Sequence, residues 1–496
     1  MIAAPSGTIR RWLDERAETN GTAYQFFDDP VDTFSWSDLR TEARSIAHHL
    51  TSLGIKKGAS VAVIMPNGSN AVRTIFGVLY GGFRATLINL VAGDDAISYA
   101  LEHSESNFAL VGEQQQEVLR RCAPNIVPVV LPDEGCDFVD LYDVSSSDDA
   151  ILMYTSGTTG RPKGVVHTQA SLLAGGWTTT QAHALTPEDC GFCVLPVCHI
   201  NALCVSVIGG LVSGCKIAMA PKFSASRFWG QIAASEATWF SVVPTIISHL
   251  LQSPTDPTTA DKKRLRFGRS ASSALSPDVH AAFEERFDVC LIETMGLTET
   301  AAQILSNPLP PATRKIGSPG VGFGNEVRIL APDFSAMPPM QQGEIAVRGP
   351  NVMKEYLNNP DATNESITAD GWLRTGDLGH VDEDGYVFVT GRLKELIIKG
   401  GENIAPREID DALYSNADVV EAAAFGRPCN TYGERVEAAV VLREGSKLDE
   451  VRLRTLCEEK LGKFKSPERI YIFDELPKGP SGKIQRLKIA EMTVSS

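Results

Sequence analysis

The sequence predicts an α/β fold. A large N-terminal domain of αβ-layered sheets carries a small β-barrel-like subdomain, and a small mobile α+β lid domain follows. Short apolar runs, such as residues 61–65 and 108–111, alternate with segments of helical periodicity, as in layered parallel sheets. Beyond Gly320 the predicted strands are short and lie between Gly, Pro and Asp turns, which indicates the β-rich subdomain. The chain after Gly391 has a strand–helix pattern of its own and is long enough for an independent domain. We therefore expect domains at residues 1–391 and 392–496.

The predicted elements follow in order along the chain. Residues 8–53 have a helical pattern that includes a capped helix start at residues 34–39, and residues 70–80 form a further helix. Strands of the first domain are expected at residues 61–65, 85–89, 108–111, 126–131, 150–154, 191–196, 216–220 and 239–244, and strands of the subdomain at residues 326–330, 343–348 and 386–390. The lid is expected to contain strands at residues 395–398, 421–425, 437–442 and 470–473, a turn at Gly400 and Gly401, and helices from Pro406 and over residues 448–461.

Composition limits the function. Of the 496 residues, 43% are apolar and 22% are charged, which is typical of a soluble globular protein. The net charge of −15 argues against nucleic acid or an anionic membrane as the main partner, so an anionic ligand has to be met by local positive groups. The N-terminus lacks the pattern of a secretory signal, the apolar stretches are too short to span a membrane, and the last residues match no address tag. We therefore expect a cytoplasmic protein.

Ten cysteines in a chain of this length do not indicate a disulfide framework. One cluster has spacing that could suit zinc: Cys190, Cys193, Cys198, His199 and Cys204. The residues around it are apolar, however, and no second CxxC pair follows at the spacing of a zinc ribbon. We therefore favour buried thiols over a structural metal.

Residues 155–164, Thr-Ser-Gly-Thr-Thr-Gly-Arg-Pro-Lys-Gly, follow a predicted buried strand. Glycines let backbone N–H groups approach phosphate oxygens, hydroxyls donate hydrogen bonds, and Lys163 adds positive charge. The spacing differs from that of a Walker loop, because Gly157 and Gly160 lie close together and Lys163 is followed by Gly164. Taken alone, the segment is equally well explained as an ordinary flexible loop.

Four further segments share polar groups suited to phosphate chemistry. They are residues 295–300 with Thr298 and Glu299, residues 375–379 as a tight turn that presents Asp377, residues 391–395 with cations at the domain junction, and residues 477–484 with Lys483 on a glycine-rich loop. Each is weak evidence alone, because Asp377 is more often a turn former and Lys483 a solvated surface lysine. Their joint occurrence in this order is the specific signal.

Together the five segments resemble the acyl-adenylate-forming superfamily, which includes acyl-CoA synthetases, adenylation domains of peptide synthetases and firefly-type luciferases. The resemblance covers nearly the whole chain. Within the superfamily the chain looks most similar to oxalate–CoA and carnitine–CoA ligases, on the evidence of residues 223–229, 237–245 and 306–310.

The resemblance implies an AMP-forming acid–thiol ligase that uses ATP, Mg²⁺ and coenzyme A. A carboxylate would attack the α-phosphorus of ATP to give acyl-AMP and pyrophosphate, and a thiol would then displace AMP. Because a carboxylate is a poor electrophile at neutral pH, it needs a leaving group. Forming one concentrates negative charge, which Mg²⁺, backbone N–H groups and lysines can stabilise. The acid is expected to be small or medium in size, and a second anionic group on it is left open.

The resemblance also implies roles for individual residues. Around the β- and γ-phosphates it places Thr155, Ser156, Gly157, Thr158, Thr159, Gly160 and Lys163. Thr298 would contact the α-phosphate, Glu299 would bind Mg²⁺ as a hard oxygen ligand, and Asp377 would accept from the ribose hydroxyls with Arg392 assisting. Lys483 would stabilise the reacting carboxylate and α-phosphate. Lys394 matches the hinge of the lid, and the loop that would line the pantetheine tunnel after lid rotation consists of Lys399, Gly400, Gly401, Glu402 and Asn403.

The adenine slot and the acyl pocket depart from the family pattern. The slot is expected to consist of Ser272, Ser273, Ala274, Thr294, Met295 and Gly296, with Met295 where relatives commonly place a stacking Tyr. The acyl pocket is expected to consist of His199, Trp239, Ser241, Arg269, Ser270, Ala302 and Gln303. Oxalate-type ligases would carry a His at the position of Ala302, which argues against oxalate itself and suggests a roomier pocket. Arg269 could equally meet a second acidic group on the acid or pair with a carboxylate such as Glu293.

Other functions remain open on the sequence. A stand-alone adenylation enzyme that loads a separate carrier protein would share all five segments, and a luciferase-type oxidoreductase would adenylate its substrate before oxidising it. A nucleotide sensor without catalysis is disfavoured because Lys483, Glu299 and Asp377 are all present. Nucleic acid and membrane insertion are not expected, and a homodimer is left open.

Overall fold

The structure is a computed structural model of the chain, and it describes residues 4–27, 31–132, 139–155, 162–479 and 483–493. The α-helices are α1 (Ile9–Ala17), α2 (Trp36–Ser52), α3 (Ser69–Gly81), α4 (Asp94–His103), α5 (Gln116–Cys122), α6 (Gln169–Ala182), α7 (Gly209–Ser213), α8 (Phe228–Ser235), α9 (Pro244–Gln252), α10 (Thr259–Arg264), α11 (Pro277–Phe287), α12 (Pro360–Ser366), α13 (Pro406–Tyr414), α14 (Glu450–Lys465) and α15 (Arg486–Met492). A π-helix (Asn201–Ile208) precedes α7, and short 3-10 turns lie at Glu113–Gln115, Thr298–Thr300 and Leu393–Glu395.

The strands are β1 (Thr22–Phe26), β2 (Asp32–Ser35), β3 (Ser60–Ile64), β4 (Arg84–Leu87), β5 (Phe108–Val111), β6 (Val127–Val129), β7 (Asp149–Thr155), β8 (Lys163–Thr168), β9 (Cys190–Cys193), β10 (Lys216–Met219), β11 (Trp239–Val242), β12 (Phe267–Ser270), β13 (Leu291–Leu297), β14 (Ala302–Ser306), β15 (Val321–Gly322), β16 (Glu326–Leu330), β17 (Gly343–Arg348), β18 (Glu355–Tyr356), β19 (Leu373–Val381), β20 (Val387–Arg392), β21 (Ile397–Lys399), β22 (Glu402–Ile404), β23 (Val419–Cys429), β24 (Gly433–Leu442) and β25 (Arg469–Phe473).

Two large sheets organise the N-terminal domain. A nine-stranded sheet runs in the order β15-β14-β13-β12-β11-β9-β10-β1-β2, and a seven-stranded sheet in the order β18-β8-β7-β4-β3-β5-β6. Their central strands pair in parallel. Helices α3 and α6 are buried along almost their whole length and share one apolar core with both sheets. These strands are apolar on both faces because layers of helices cover them.

Parallel strands bring their carboxyl ends to the same edge of a sheet, where α/β proteins usually bind ligands. The register places Ser241 of β11 beside Arg269 of β12, and Arg269 beside Ile292 of β13. Polar side chains near the ends of these strands therefore lie together.

The rest of the chain forms two smaller units. Strands β16, β17, β19 and β20 pair in that order as an antiparallel sheet with an apolar cluster of its own. From Ile397 onward, β22-β21-β24-β23 form another sheet, with β25 beside β24, and helices α13 and α14 help to enclose a separate core. The fold-class prediction is confirmed: the chain is mixed α/β, with a large N-terminal and a small C-terminal domain.

Several predicted elements coincide with observed ones. Strands β5, β16 and β17 have the expected bounds, and α13 begins at Pro406. The capped helix start is also present, because Ser35 accepts a hydrogen bond from the backbone of Asp38, and the Asp38 carboxylate accepts one from the backbone of Ser35.

Two predictions from the sequence were wrong. Residues 8–53 do not form one helical stretch, since β1 and β2 pair antiparallel between α1 and α2, and β1 also pairs with β10. Residues 375–379 are not a tight turn but part of β19, in which Gly376 has a φ of 73°. The register against β17 shifts around Gly376, which indicates a β-bulge. Bulges and turns both favour glycine, and for this reason the sequence pattern was taken for a turn.

None of the helices within the described ranges combines the length and apolar character needed to cross a membrane.

The packing of strand β11 in the core of the N-terminal domain can be tested by mutation. Phe240 is fully buried and meets Phe228, Trp229 and Phe283 at ring-centroid distances of 5.3, 6.0 and 6.4 Å. Phe240→Ala is expected to destabilise the N-terminal domain by about 3–5 kcal/mol, because a cavity replaces the ring. Urea unfolding measures the loss. The control Phe334→Ala, at a side chain 51% exposed, should change stability by less than about 0.5 kcal/mol. Similar losses in both variants would contradict the packing described here.

Candidate active site

One group of polar side chains links strand β8 to the turn after β13. The Lys163 Nζ atom lies 4.6 Å from the centre of the Tyr356 ring, and the Tyr356 hydroxyl donates to Glu299 Oε1 at 2.8 Å. Burial, and next the charge of Glu299, raise the pKa of Tyr356 well above its usual value, so the hydroxyl stays a donor. Tyr356 therefore contacts both the Lys163 cation, through its ring, and the Glu299 carboxylate, through its hydroxyl.

A buried histidine fixes the same turn. The Nε2 atom of His167, on β8, is 2.6 Å from the Thr298 carbonyl oxygen. Burial lowers the pKa of His167 to about 4, so the ring is neutral at pH 7 and Nε2 carries the donated proton. Strand β8 thus holds the segment that carries Thr298 and Glu299.

The glycine-rich segment itself is described only at its two ends. Thr155 ends β7, Lys163 begins β8, and the two residues are partners in the antiparallel pairing. Ser156, Gly157, Thr158, Thr159 and Gly160 lie outside the described residues, so their phosphate contacts stay a prediction.

A second polar group lies where the antiparallel sheet meets the C-terminal domain. Asp377 and Arg392 face each other across β19 and β20, and Arg392 Nε donates to Asp377 Oδ1 at 2.6 Å. The Asp377 charge raises the pKa of Arg392. Lys483 is an exposed residue whose amino group lies close to other charged groups. Desolvation by the surrounding protein, followed by repulsion from Arg392, lowers the pKa of Lys483. The charges of Asp377 and Glu299 act on Lys483 in the opposite sense, so all four groups share one region.

The residues expected to form the adenine slot have distinctive backbone geometry and burial. Ser272 has a φ of 74° and accepts a hydrogen bond from Asn201 at 3.0 Å, whereas Ser273 and Ala274 are exposed. Thr294 is buried, and Met295 is half-buried against the core of the antiparallel sheet. A Cβ atom on Gly296 would lie 1.7 Å from the Ala302 carbonyl oxygen, so only glycine fits there.

Glu293 is a buried carboxylate beside this slot that the sequence did not single out for binding. Its Oε1 atom accepts from the Leu275 backbone at 3.3 Å, while Oε2 has no hydrogen-bond partner in the described part of the chain. Burial raises the pKa of Glu293. An unpaired buried acceptor next to the slot is suited to a ligand donor.

Arg269 is the most unusual residue of the expected acyl pocket. It is 1% exposed, and Nη1 donates to Asn201 Oδ1 at 2.8 Å and to Ser241 Oγ at 3.0 Å. All its bonded partners are neutral, and burial lowers its pKa to about 9, so it remains a cation at pH 7. Among the described residues no carboxylate lies within 4.0 Å of it.

The structure therefore does not pair Arg269 with Glu293. Arg269 is the register partner of Ile292, and Glu293 follows Ile292 in the strand. Successive side chains of a strand point to opposite faces of the sheet, so Arg269 and Glu293 lie on different faces.

Gln303 stands beside Arg269 with a fixed amide. Its Oε1 atom accepts from Arg269 Nε at 3.2 Å and lies 3.1 Å from His183 Nε2, while its buried Nε2 atom has no partner within the described ranges. Burial, with repulsion from Arg269 second, lowers the pKa of His183 to about 3, so the ring is neutral. Because two donors meet the oxygen, the amide nitrogen is left to donate elsewhere.

The other residues of the expected acyl pocket are buried or engaged with neighbouring elements. Trp239 precedes Ser241 by two residues on β11. It is buried, and its ring stacks on that of Phe267 with the ring centroids 5.9 Å apart. Ser270 and Ala302 are buried. The His199 Nε2 atom is 3.4 Å from the Asn89 amide nitrogen, which joins the two large sheets near the pocket.

The expected lid residues follow β20 along the chain. Lys394 is in the turn Leu393–Glu395 after β20, and Gly400 and Gly401 form the turn between β21 and β22, which ends in the segment of Glu402 and Asn403. Lys399 donates to the Phe464 carbonyl at 3.0 Å and lies 3.4 Å from Glu468, both within the C-terminal domain.

Two metal sites were considered from the sequence: a structural zinc site at the cysteine cluster and a Mg²⁺ site at Glu299. Within the described ranges no three His, Cys, Asp or Glu side chains are grouped to hold a metal ion. Cys190 and Cys204 donate to backbone carbonyls at 3.4 and 3.5 Å, and burial raises the pKa of Cys190 to about 11. Glu299 is different: its Oε2 atom accepts from no described residue. One oriented carboxylate suits Mg²⁺, whose other ligands are usually phosphates and water.

Two residues of this region, Tyr356 and His167, were missed from the sequence, and Glu293 was considered only as a partner of Arg269. Tyr356 lies on a two-residue strand and reaches Glu299 only through the pairing of β18 with β8. The residues around Tyr356 in the sequence do not predict the pairing of β18 with β8.

Comparison with known proteins gives consistent results. The chain matches the family model of AMP-binding enzymes over residues 13–357 and that of the AMP-binding enzyme C-terminal domain over residues 408–483. It is 43% identical over 480 residues to the sulfoacetate–CoA ligase of Cupriavidus necator, covering 94% of each chain. It is 36% identical over 468 residues to the oxalate–CoA ligase of Arabidopsis thaliana, covering 90% of this chain and 91% of that one. Its fold matches the O-succinylbenzoate coenzyme A synthetase of Bacillus subtilis, solved with ATP and a magnesium ion, with a TM-score of 0.85 and 28% identity over 96% and 98% of the two chains.

The contact between Tyr356 and Glu299 can be tested directly. Tyr356→Phe removes the hydroxyl but keeps the ring under Lys163, and it should weaken binding of Mg²⁺–ATP about tenfold, because a hydrogen bond to a charged group is lost. Calorimetric titration with a non-hydrolysable ATP analogue measures the change. Tyr386→Phe is a matched control, since Tyr386 also lies under a lysine, Lys315, and donates to a backbone carbonyl. Equal effects in both variants would count against a specific role of Tyr356.

Proposed function

The chain belongs to the AMP-binding enzymes, and from this we propose that it is an ATP-dependent acid–CoA ligase for a small carboxylic acid with a second anionic group. The enzyme forms acyl-AMP and pyrophosphate from the acid and ATP, and then transfers the acyl group to CoA. Its relatives named above are ligases for sulfoacetate, oxalate and O-succinylbenzoate, each of which carries two acidic groups.

The observation that carries the proposed substrate class is the buried Arg269. An uncompensated buried charge costs several kcal/mol, and natural proteins usually pair it. Here the partners are neutral, and the adjacent Gln303 amide nitrogen also lacks an acceptor in the described part of the chain. A sulfonate or second carboxylate on the acid would compensate the charge and accept from both groups.

The first half-reaction brings a carboxylate to the α-phosphate of ATP, so it has to overcome repulsion between anions. Lys483 is proposed to contact both reacting groups and to offset the charge that develops between them. Thr298 is proposed to donate to the α-phosphate, while Lys163 and the glycine-rich segment hold the departing pyrophosphate. Bound at Glu299, Mg²⁺ would neutralise phosphate charge.

The nucleoside is proposed to bind between the slot and the antiparallel sheet. Asp377 accepts hydrogen bonds from the ribose, and Arg392 holds the Asp377 carboxylate in place through the 2.6 Å contact. Ser272, Thr294 and Gly296 are proposed to shape the slot.

The second half-reaction needs a different arrangement. Lys399 is engaged within its own domain by Phe464 and Glu468. We propose that the C-terminal domain turns at Lys394 to bring this loop to the acyl-AMP, where CoA attacks the carbonyl carbon and AMP leaves.

The proposal is tested by measuring AMP release across matched acids with and without CoA. Sulfoacetate and short dicarboxylates should give CoA-dependent AMP release with a kcat/KM at least about tenfold above that of monoacids of equal length. Preference for monoacids would contradict the substrate class. Release without thioester formation would contradict the ligase, and a carrier protein offered in place of CoA tests the other thiol acceptor.

Arg269→Met should raise the KM for a diacid by about 10–100-fold and leave that for a monoacid nearly unchanged, because charge-assisted hydrogen bonds to the second anion are lost. Steady-state kinetics with both acids measure the difference. Arg266→Met is the control, since Arg266 pairs with Asp189 at 2.6 Å. If Arg269→Met raised the KM for the diacid and for the monoacid by the same factor, Arg269 would have a structural role only.

Lys483→Ala should reduce acyl-AMP formation by about 10²–10³-fold, as expected when one donor to a developing charge is removed. Conversion of preformed acyl-AMP to the thioester should persist, because that step has no carboxylate to activate. Pyrophosphate exchange and thioester formation are measured separately. Lys488→Ala, at an exposed residue of α15, should affect neither step. If Lys483→Ala slowed acyl-AMP formation and thioester formation equally, the proposed role of Lys483 in the first half-reaction would be refuted.

A further inference from the structure

We propose that Arg407 is the positioning residue that holds the C-terminal domain in the orientation in which Lys483 reaches the nucleotide site. The kinetic part of this inference rests on the proposed function, whereas the contact itself does not.

Arg407 crosses from the C-terminal domain to the antiparallel sheet. It is the second residue of α13, and its Nη1 atom donates to the Val389 carbonyl of β20 at 2.6 Å. Its side chain is only 14% exposed. Strand β20 ends at Arg392, so Arg407 attaches to the element that carries the partner of Asp377.

The charge of the same guanidinium group also acts on a buried carboxyl group of the large domain. Glu293 is 3% exposed, and its Oε2 atom has no hydrogen-bond partner among the described residues. Of the charges acting on Glu293, that of Arg407 lowers its pKa most, and buried His280 acts in the same sense. Asp411, one turn along α13, lies 3.5 Å from Arg407 Nε and completes the group. Moving the C-terminal domain away would remove from Glu293 the cation that lowers its pKa most, so burial would raise that pKa further.

Helix α13 connects this contact to the segment of Lys483. Asp410, on the same helix, pairs with Arg486 at 2.5 Å, and Arg486 also donates to the Ala424 carbonyl at 2.8 Å. Arg486 begins α15, three residues after Lys483. One short helix therefore carries both the contact to the large domain and the ion pair beside Lys483.

Loss of the contact between Arg407 and Val389 should slow only one of the two half-reactions. Arg407 touches none of the groups proposed to bind ATP or the acid, so removing it should lower the population of the orientation without changing substrate affinity. The step that needs Lys483 slows, and the step that does not need Lys483 is unaffected.

The kinetic test compares Arg407→Met, Arg407→Lys and Arg452→Met. Arg452 is a matched control because it donates to a backbone carbonyl, that of Lys447 at 2.8 Å, inside the C-terminal domain. R407M should lower the kcat of acid-dependent pyrophosphate exchange about tenfold, with both KM values and the conversion of preformed acyl-AMP within about twofold of wild type. R407K keeps a cation and should recover most of the rate, and R452M should match wild type. Equal loss of both half-reactions, or no loss, would overturn the proposal.

A second measurement needs no acid. Hydrogen–deuterium exchange of the full chain with ATP should show faster exchange of residues 387–392 and 406–414 in R407M, and no such change in R452M. Unchanged exchange in R407M would overturn the contact. If R407M exchanges faster throughout the chain, R407K decides: protection of both segments supports the contact, and exposure of both refutes it. A wild-type chain that activates no acid would instead refute the proposed ligase function, and the exchange result would still stand.

Discussion

The constraint on which this structure depends is the placement of positive charge in an acidic protein. The chain has a net charge of −15, yet its site has to gather a triphosphate and a carboxylate. It does so with a few cations held at fixed places. Arg392 is balanced by Asp377, and Lys163 lies over the Tyr356 ring beside Glu299. Arg269 has neutral partners only, and we propose that the substrate supplies its counter-charge.

Different parts of the fold carry different parts of the chemistry. The edge of the nine-stranded sheet carries Ser241 and Arg269, which face the proposed acid. The seven-stranded sheet contributes Lys163 and, through His167, fixes the turn of Glu299. The antiparallel sheet and the C-terminal domain contribute Asp377, Arg392 and Lys483. In the proposed mechanism, catalysis depends on how these units are held against each other, and a contact between domains is therefore proposed to control a single step.

The sequence predicted more of the chemistry than of the geometry. The five polar segments and the family are local patterns, and the comparisons confirm the family. Asp377 was assigned to a turn because Gly376 gives a bulged strand the same composition. The sequence also left two partners open for Arg269, and strand alternation across β12 and β13 excludes Glu293. The contacts of Tyr356 and the fixed amide of Gln303 arise from pairings between distant segments, and a single sequence does not show these.

The position of the acid's second anion is the most direct test of the proposed substrate class. Crystals grown with ATP and sulfoacetate would locate the sulfonate sulfur by its anomalous scattering. We predict sulfonate oxygens about 3 Å from the Arg269 guanidinium and the Gln303 amide nitrogen. A sulfonate that points into solvent, or that binds to another cation while Arg269 keeps only its neutral partners, would contradict the proposal.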